Sequence, residues 1–251
     1  MAGHSKWANI KHKKAAEDAK RGKIFGRLSR EIMVAARQGN PDPDWNPRLR
    51  LAIDKAYANN MPKENVERAR QNAAPARWSG ESYEEARYEG YGPGGVAIMV
   101  DCITDNRNRT VAEVRHAFSK HGGNLGTDGS VAFLFSYTGV ITYPAGTDED
   151  AVMEAAIEAG ADELVHQRRR LHGRPGRSPE QFARRCVTRS IAAGLEPEHA
   201  EVTMRPSTDV AVSGEDAEKA LKLLDMLDDL DDVQNVYTNA NFSEESLAAA
   251  G

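Results

Sequence analysis

VAIMVDCITDNRNRTVAEVRHAFSKHGGNLGTDGSVAFLF, residues 96–135, changes its periodicity along its length. Val96–Ile103 is dense in Val, Ile and Met, as a strand is. From Thr110 to His121 the apolar residues fall at Val111, Val114, Ala117 and Phe118, the spacing of one helical face, and Gly122-Gly123 closes the run. Ser130–Phe135 then reads as a strand again, with Asp128-Gly129 as a hairpin turn before it. Upstream, Tyr88–Tyr91 is a further strand, and Gly92-Pro93-Gly94-Gly95 turns the chain into the next. Strand and helix alternating through short turns give an α+β class built of small split βαβ units.

On the C-terminal side Val140–Tyr143 reads as a strand and Asp148 opens a helix through Glu158. Ser213, with Asp216 three residues on, starts another helix, whose buried face is Ala217, Ala220, Leu221, Leu224 and Leu227. Val233–Tyr237 closes as a strand. The acidic run Asp225, Asp228, Asp229, Asp231 and Asp232 has the charge to bind a cation weakly, but such a run is more often a solvated helix end. On the N-terminal side residues 1–77 are helical throughout, a small bundle. Ile24, Leu28, Ile32 and Ala35/Ala36 recur at helical spacing, with Gly39 expected as a left-handed cap. Asn46-Pro47 opens the next helix, with Leu49, Ala52, Ile53, Ala56 and Tyr57 as its stripe. Pro62 starts a third, with Val66 and Ala69 inward, and AAPARWSGES at 73–82 is a linker.

Charge is distributed unevenly. Residues 1–77 hold seventeen Lys and Arg against eight Asp and Glu, about +9, whereas the whole chain is −5. The remainder therefore carries about −14. The first thirty residues alone contain nine cations and two anions, with Trp7, His4 and His12 among them. A dense positive field around a flat aromatic ring suits a polyphosphate with exposed bases. The residues expected to contact nucleic acid are Lys6, Trp7, Lys11, His12, Lys13, Lys14, Lys20, Arg21 and Lys23.

Composition narrows the class. Of 251 residues 40% are apolar and 28% charged, ordinary for a globular chain able to bury a core. Cys102 and Cys186 make no framework and no CxxC, which points to a reducing compartment. No apolar run approaches a membrane span, and no hydrophobic segment follows the first cations as in a secretory signal. The expectation is a cytoplasmic protein with no membrane partner. No His/Cys cluster has metal spacing, and no Gly-rich phosphate loop is present, so neither a metal nor a cofactor is expected. The one candidate nucleophile pair is Cys102 with His116, which packing explains as readily. Asn106, Arg107, Asn108 and Arg109 form a second candidate polar site, read chiefly as the loop that caps the following helix.

GHSKWANIKH at 3–12, NPRLRLAIDKA at 46–56, YEGYGPGG at 88–95 and TDNRNRTVAEVRHAFSKHGGNLGTDGSVAF at 104–133 resemble the signatures of the YebC family, in the family's order. AEVTMRPST at 200–208 and DLDDVQNVYTNA at 229–240 extend the resemblance over most of the chain. The resemblance implies three domains: a helical one over 1–77, a middle αβ domain in two pieces (83–133 and 206–243), and a third αβ domain inserted at 134–205. It also implies a function in gene expression, in one of two versions. One is a DNA-binding transcriptional regulator, the label of bacterial relatives. The other is a ribosome-associated translation factor that relieves stalling, akin to the mitochondrial translational activator of cytochrome oxidase synthesis. The absence of a clear helix-turn-helix reader tilts the physical reading towards RNA, ribosomal RNA included. An enzyme built on Cys102 and His116, or a protein-interaction scaffold, is the alternative. No small-molecule substrate is evident.

Gln167–Ser190 departs from the family pattern with eight arginines where relatives look acidic. The codons CAA CGA CGA CGG CTC encode Gln-Arg-Arg-Arg-Leu, and one base later they read Asn-Asp-Asp-Gly-Ser. The segment is therefore read as locally out of frame, the alternative being an acquired Arg-rich loop. Sequencing the gene across these codons is expected to uncover acidic readings in another frame, and codons without them would leave the Arg-rich loop.

Overall fold

The computed structural model describes residues 18–73, 83–144, 146–159, 161–165, 170–173, 194–196, 199–243 and 246–247. They pack as two compact units: the described residues through Leu134 together with those from Pro206 on, and Phe135–Arg205.

The first unit opens with three helices, α1 (Asp18–Gln38), α2 (Pro47–Ala58) and α3 (Lys63–Asn72). Leu28, Ile32, Ala35 and Ala36 of α1 meet Leu49, Ala52 and Ala56 of α2 and Val66 and Ala69 of α3 in one apolar cluster. Asn46 caps α2, its Oδ1 accepting from Leu49 N at 3.0 Å, and Pro47 occupies the first turn. The same side chain donates to the Ala35 and Asn40 carbonyls, so a single buried Asn ties the end of one helix to the start of the next. Gly39 is not left-handed, contrary to expectation. A Cβ there would lie 2.6 Å from Asn46 Nδ2, so its missing side chain makes room for the cap. Tyr57, expected inward, is 44% exposed.

An antiparallel sheet follows, in the order β3-β1-β2-β9, from β1 (Glu84–Tyr91), β2 (Ala97–Thr104), β3 (Asn124–Leu125) and β9 (Val233–Thr238). Helices α4 (Arg107–Lys120) and α6 (Gly214–Asp228) pack against each other and against this sheet. Val114, Ala117 and Phe118 of α4 and Ala217, Ala220, Leu224 and Leu227 of α6 bury themselves on Ile98, Val100 and Cys102 of β2 and on Val233 and Val236 of β9. The odd-numbered β2 residues Ala97, Met99 and Ile103 are buried as well, so both sides of the strand are covered. A short parallel pair, β8 (Val210–Val212) with β10 (Ala240–Phe242), completes the unit.

Ser130–Phe135, read as a strand, is instead a loop with a short 3-10 turn at Ala132–Leu134, and the strand begins only at Phe135. The cause is Glu89 of β1. Its buried carboxylate accepts from the backbone N–H groups of Gly129 (2.9 Å), Val131 (2.8 Å) and Ala132 (2.7 Å), which a strand would have given to a neighbour. Burial pushes the Glu89 carboxyl up, but the three N–H donors and the Arg87 charge outweigh it and hold it below its ordinary value.

The second unit is a four-stranded sheet, order β5-β6-β4-β7, with helix α5 (Glu149–Ala159). Its strands are β4 (Phe135–Thr142), β5 (Ala161–Val165), β6 (Arg170–Gly173) and β7 (His199–Pro206). Arg170–Gly173 of the arginine-rich segment thus form an interior strand, antiparallel to both β4 and β5. Residues 167–169 and 174–190 of that segment lie outside the described residues. No helix among the described residues is long and apolar enough to cross a membrane.

Gly90 lies where β1 passes α4 and β3: a Cβ would meet Asn124 O at 2.5 Å and the Phe118 ring at 2.8 Å. Gly90→Ala is expected to lower stability by roughly 1–3 kcal/mol in urea unfolding, because a backbone oxygen cannot turn aside as a side chain can.

Candidate nucleic-acid interface

The sequence places a cationic row on α1, and the structure shows what part of it does. Lys23, Arg27 and Arg30 lie against the turn that ends α6. Lys23 Nζ donates to the Asp229 carbonyl and pairs with the carboxylates of Asp229 (3.8 Å) and Asp231 (3.7 Å). Arg27 donates to the Asp228 carbonyl, to Asp228 Oδ1 at 3.2 Å and to Leu230 O at 3.4 Å, and Arg30 donates to the Asp231 carbonyl. Three cations thus occupy the free carbonyls and acidic side chains at a helix C-terminus, where both the dipole and the carboxylates attract them. Lys23, expected on the phosphate-facing arm, is an internal ion-pair donor. Asp228, Asp229 and Asp231 of the acidic run are the other half of this seam, while the Asp229 and Asp231 side chains stay exposed, as a solvated helix end does.

Of the remaining predicted contacts, Arg21 is exposed on the first turns of α1. Lys6, Trp7, Lys11, His12, Lys13 and Lys14 lie outside the described residues, as does the Lys20 side chain.

The second candidate site resolves into separate roles. Asn106 caps α4, its Oδ1 accepting from Arg109 N at 3.1 Å. Arg109 Nη2 bridges Asp105 (2.8 Å) and Asp232 (2.8 and 3.1 Å). The Asp232 carboxylate also accepts from Thr104 Oγ1 at 3.0 Å and Thr110 Oγ1 at 2.7 Å, and its backbone oxygen takes Ile103 N at 2.9 Å. Asp232 is 5% exposed. Burial pushes its pKa up, but the Arg109, Thr110 and Thr104 hydrogen bonds and the Arg109 charge outweigh burial and hold it below the usual carboxylate range. Arg107 pairs loosely with Glu84 at 3.8 Å, and Asn108 is exposed. Asn106 and Arg109 therefore hold the fold, which leaves Arg107 and Asn108 on the surface. Sequence reading missed Asp232, because nothing in an acidic run marks which member turns inward.

Cys102 and His116 do not form a pair. Cys102 belongs to the apolar core, and burial followed by the nearby Asp101 and Asp232 charges pushes its thiol up to about 12, so it is a poor nucleophile at neutral pH. His116 is exposed on α4. No group of three or more His, Cys, Asp or Glu among the described residues is arranged to hold a metal ion.

Three comparisons bear on this geometry. The family model described as "TACO1/YebC protein N-terminal domain" matches residues 5–75, and that described as "TACO1/YebC second and third domain" matches residues 83–240. A "Probable transcriptional regulatory protein" of Methylococcus capsulatus is 61% identical over 254 residues, covering all of both chains. One of Thioalkalivibrio sulfidiphilus is 61% identical over 250 residues, covering 99% of each. Among solved structures, a conserved hypothetical protein from Aquifex aeolicus superposes with a TM-score of 0.77 at 45% identity, over 90% of this chain and 93% of that one.

Two measurements test the inner chemistry. Asp232→Asn is expected to cost roughly 1.5–3 kcal/mol in urea unfolding, since the amide puts an N–H₂ among donors that need an acceptor. Both Glu89 and Asp232 have folded pKa values below their unfolded ones, so their stabilisation is complete above about pH 4 and lost as pH falls through the folded values. Acid unfolding is therefore expected to be less steep in Glu89→Gln and Asp232→Asn than in the parent, read by circular dichroism against pH.

Proposed function

The chain belongs to the TACO1/YebC family, and on that premise we propose that it is a non-enzymatic cytoplasmic regulator of gene expression that grips nucleic acid through its N-terminal cations. The observation that carries the reading is the charge of the N-terminal sequence. Beyond Lys23, Arg27 and Arg30, which meet the Asp228–Asp231 turn, residues 6–20 hold Lys6, Lys11, Lys13, Lys14 and Lys20 against Glu17 and Asp18, with Trp7 among them. Such a segment anchors phosphates and offers one ring for stacking. The acidic remainder of the chain repels the same polyanion, so approach is oriented with the cations first. The buried, protonated Cys102 thiol and its separation from the exposed His116 support a binding role over a catalytic one.

The physical reading favours RNA, in a ribosome-associated translation role. An aromatic beside cations suits splayed, single-stranded bases. DNA-bound transcriptional control is the second reading, supported by the names of the bacterial relatives.

Sedimentation of a cell lysate through sucrose, with and without a high-salt wash, separates the two. Co-migration with ribosomes that the wash releases is the expected result. Absence from ribosomal fractions with retention on genomic DNA would transfer the case to transcription. The Lys11→Glu, Lys13→Glu, Lys14→Glu triple variant is expected to lose affinity for nucleic acid and to show a shallower salt dependence. Unchanged binding by that variant would sink the arm as the contact.

A further inference from the structure

Helix α4 is a basic helix in an acidic body. Its solvent face carries Asn108, Ala112, Arg115, His116, Ser119 and Lys120, all exposed. The other cations of the αβ layer are mostly matched: Arg87 to Asp101 at 2.7 Å, Arg109 to Asp105 and Asp232, Lys219 to Glu215 at 2.7 Å. Arg115 and Lys120 are the contrast, since neither side chain is ion-paired or hydrogen-bonded to any described residue. Lys222 of the neighbouring α6 adds a further exposed charge, although it pairs with Glu218 at 2.6 Å. The one carboxylate on α4 itself is Glu113, half-buried.

Like charges are crowded here. His121 at the end of α4 is pushed below its ordinary pKa by burial and then by the charges of Lys120, Lys222 and His116. The helix dipole accounts for the cation at Lys120, in the last turn. It does not account for Arg115 more than a turn earlier, where the dipole's effect has faded. An anionic partner would relieve the crowding. Arg115 and Lys120 stand about 7.5 Å apart along the axis and about 140° around it, at the two edges of the exposed face, so a strand crossing that face meets both.

We propose that the solvent face of α4, centred on Arg115, His116 and Lys120, is a second nucleic-acid contact that takes the phosphate backbone of a single strand. The assignment rests on the nucleic-acid reading of the N-terminal cations but uses different residues. It supplies phosphate contacts without base recognition, because the face holds no exposed aromatic. Ser119 adds a hydroxyl donor between the two cations.

The test uses the full chain and a fluorescein-labelled single-stranded 20-mer RNA, with anisotropy titrations at several salt concentrations. Arg115→Gln with Lys120→Gln leaves the fold intact, since both side chains are exposed. Loss of two phosphate contacts is expected to weaken binding roughly tenfold near physiological salt and to reduce the salt slope by about 1.4. The control pair Lys63→Gln with Arg68→Gln, exposed cations of α3, is expected to change neither. Unchanged affinity and slope in the α4 variant, while the Lys11, Lys13 and Lys14 triple variant loses binding, would overturn the second contact and leave the first standing. Equal losses in the α4 and control variants would reduce it to diffuse charge and overturn it as well. Weakened binding of poly-glutamate with RNA binding intact would assign the face to an acidic protein instead. No RNA binding by the parent chain would remove both readings together.

Discussion

Asp232 is a carboxylate withdrawn from water and held by Thr104, Thr110 and Arg109, while its backbone oxygen accepts from Ile103. Those partners come from the end of β2 and the first turn of α4, and Asp232 itself stands between α6 and β9. One side chain thus fixes where a central strand ends, where a helix begins and how the last strand enters the sheet. A buried charge is tolerated only when its hydrogen-bonding capacity is filled, and here two hydroxyls and a guanidinium fill it. The four residues before it receive Lys23, Arg27 and Arg30 of α1, so the helical bundle is attached to the αβ layer at the same turn.

The apolar cores of the bundle and of the αβ layer are separate clusters. The link between them along this edge is made of ion pairs and carbonyl contacts, reinforced by Glu85 of β1, which pairs with Arg48 of α2 and accepts from Gln38 of α1 at 3.0 Å. Polar seams of this kind are weaker and more salt-sensitive than apolar ones. Glu89 plays the corresponding part at the other end of β1, where it gathers three backbone amides and shapes the loop that precedes Phe135. Buried carboxylates therefore supply the order that the short strands and loops of this unit cannot supply by apolar packing alone.

Charge has two uses in this molecule. Some of the basic N-terminal segment is consumed internally, and the total of +9 overstates what faces a partner. Further cations stand earlier in the sequence, from Lys6 to Lys20, and a smaller unmatched group stands on α4. The α4 group is spaced by the rigid backbone of a helix rather than by a loop.

The helices were legible because their apolar spacing and caps are local: Asn46-Pro47, the Leu49–Ala52–Ala56 stripe and the Val114–Ala117–Phe118 stripe sit where periodicity puts them. The alternation of strand and helix also fixed the α+β class before any coordinate, since each period is a property of neighbouring residues. The Ser130–Phe135 strand failed because a carboxylate some forty residues earlier takes its amides. Gly39 was assigned the wrong task because its constraint comes from Asn46, across the turn. The role of Lys23 was not legible, because its partner is a turn two hundred residues away in the chain. The helices, most of the strands and the charge imbalance were readable from the chain alone, because they depend on residues close in sequence. Which charges stay outside and which are buried as ties was decided only by the tertiary structure, because an ion's cost or benefit depends on what the fold brings within a few ångströms of it.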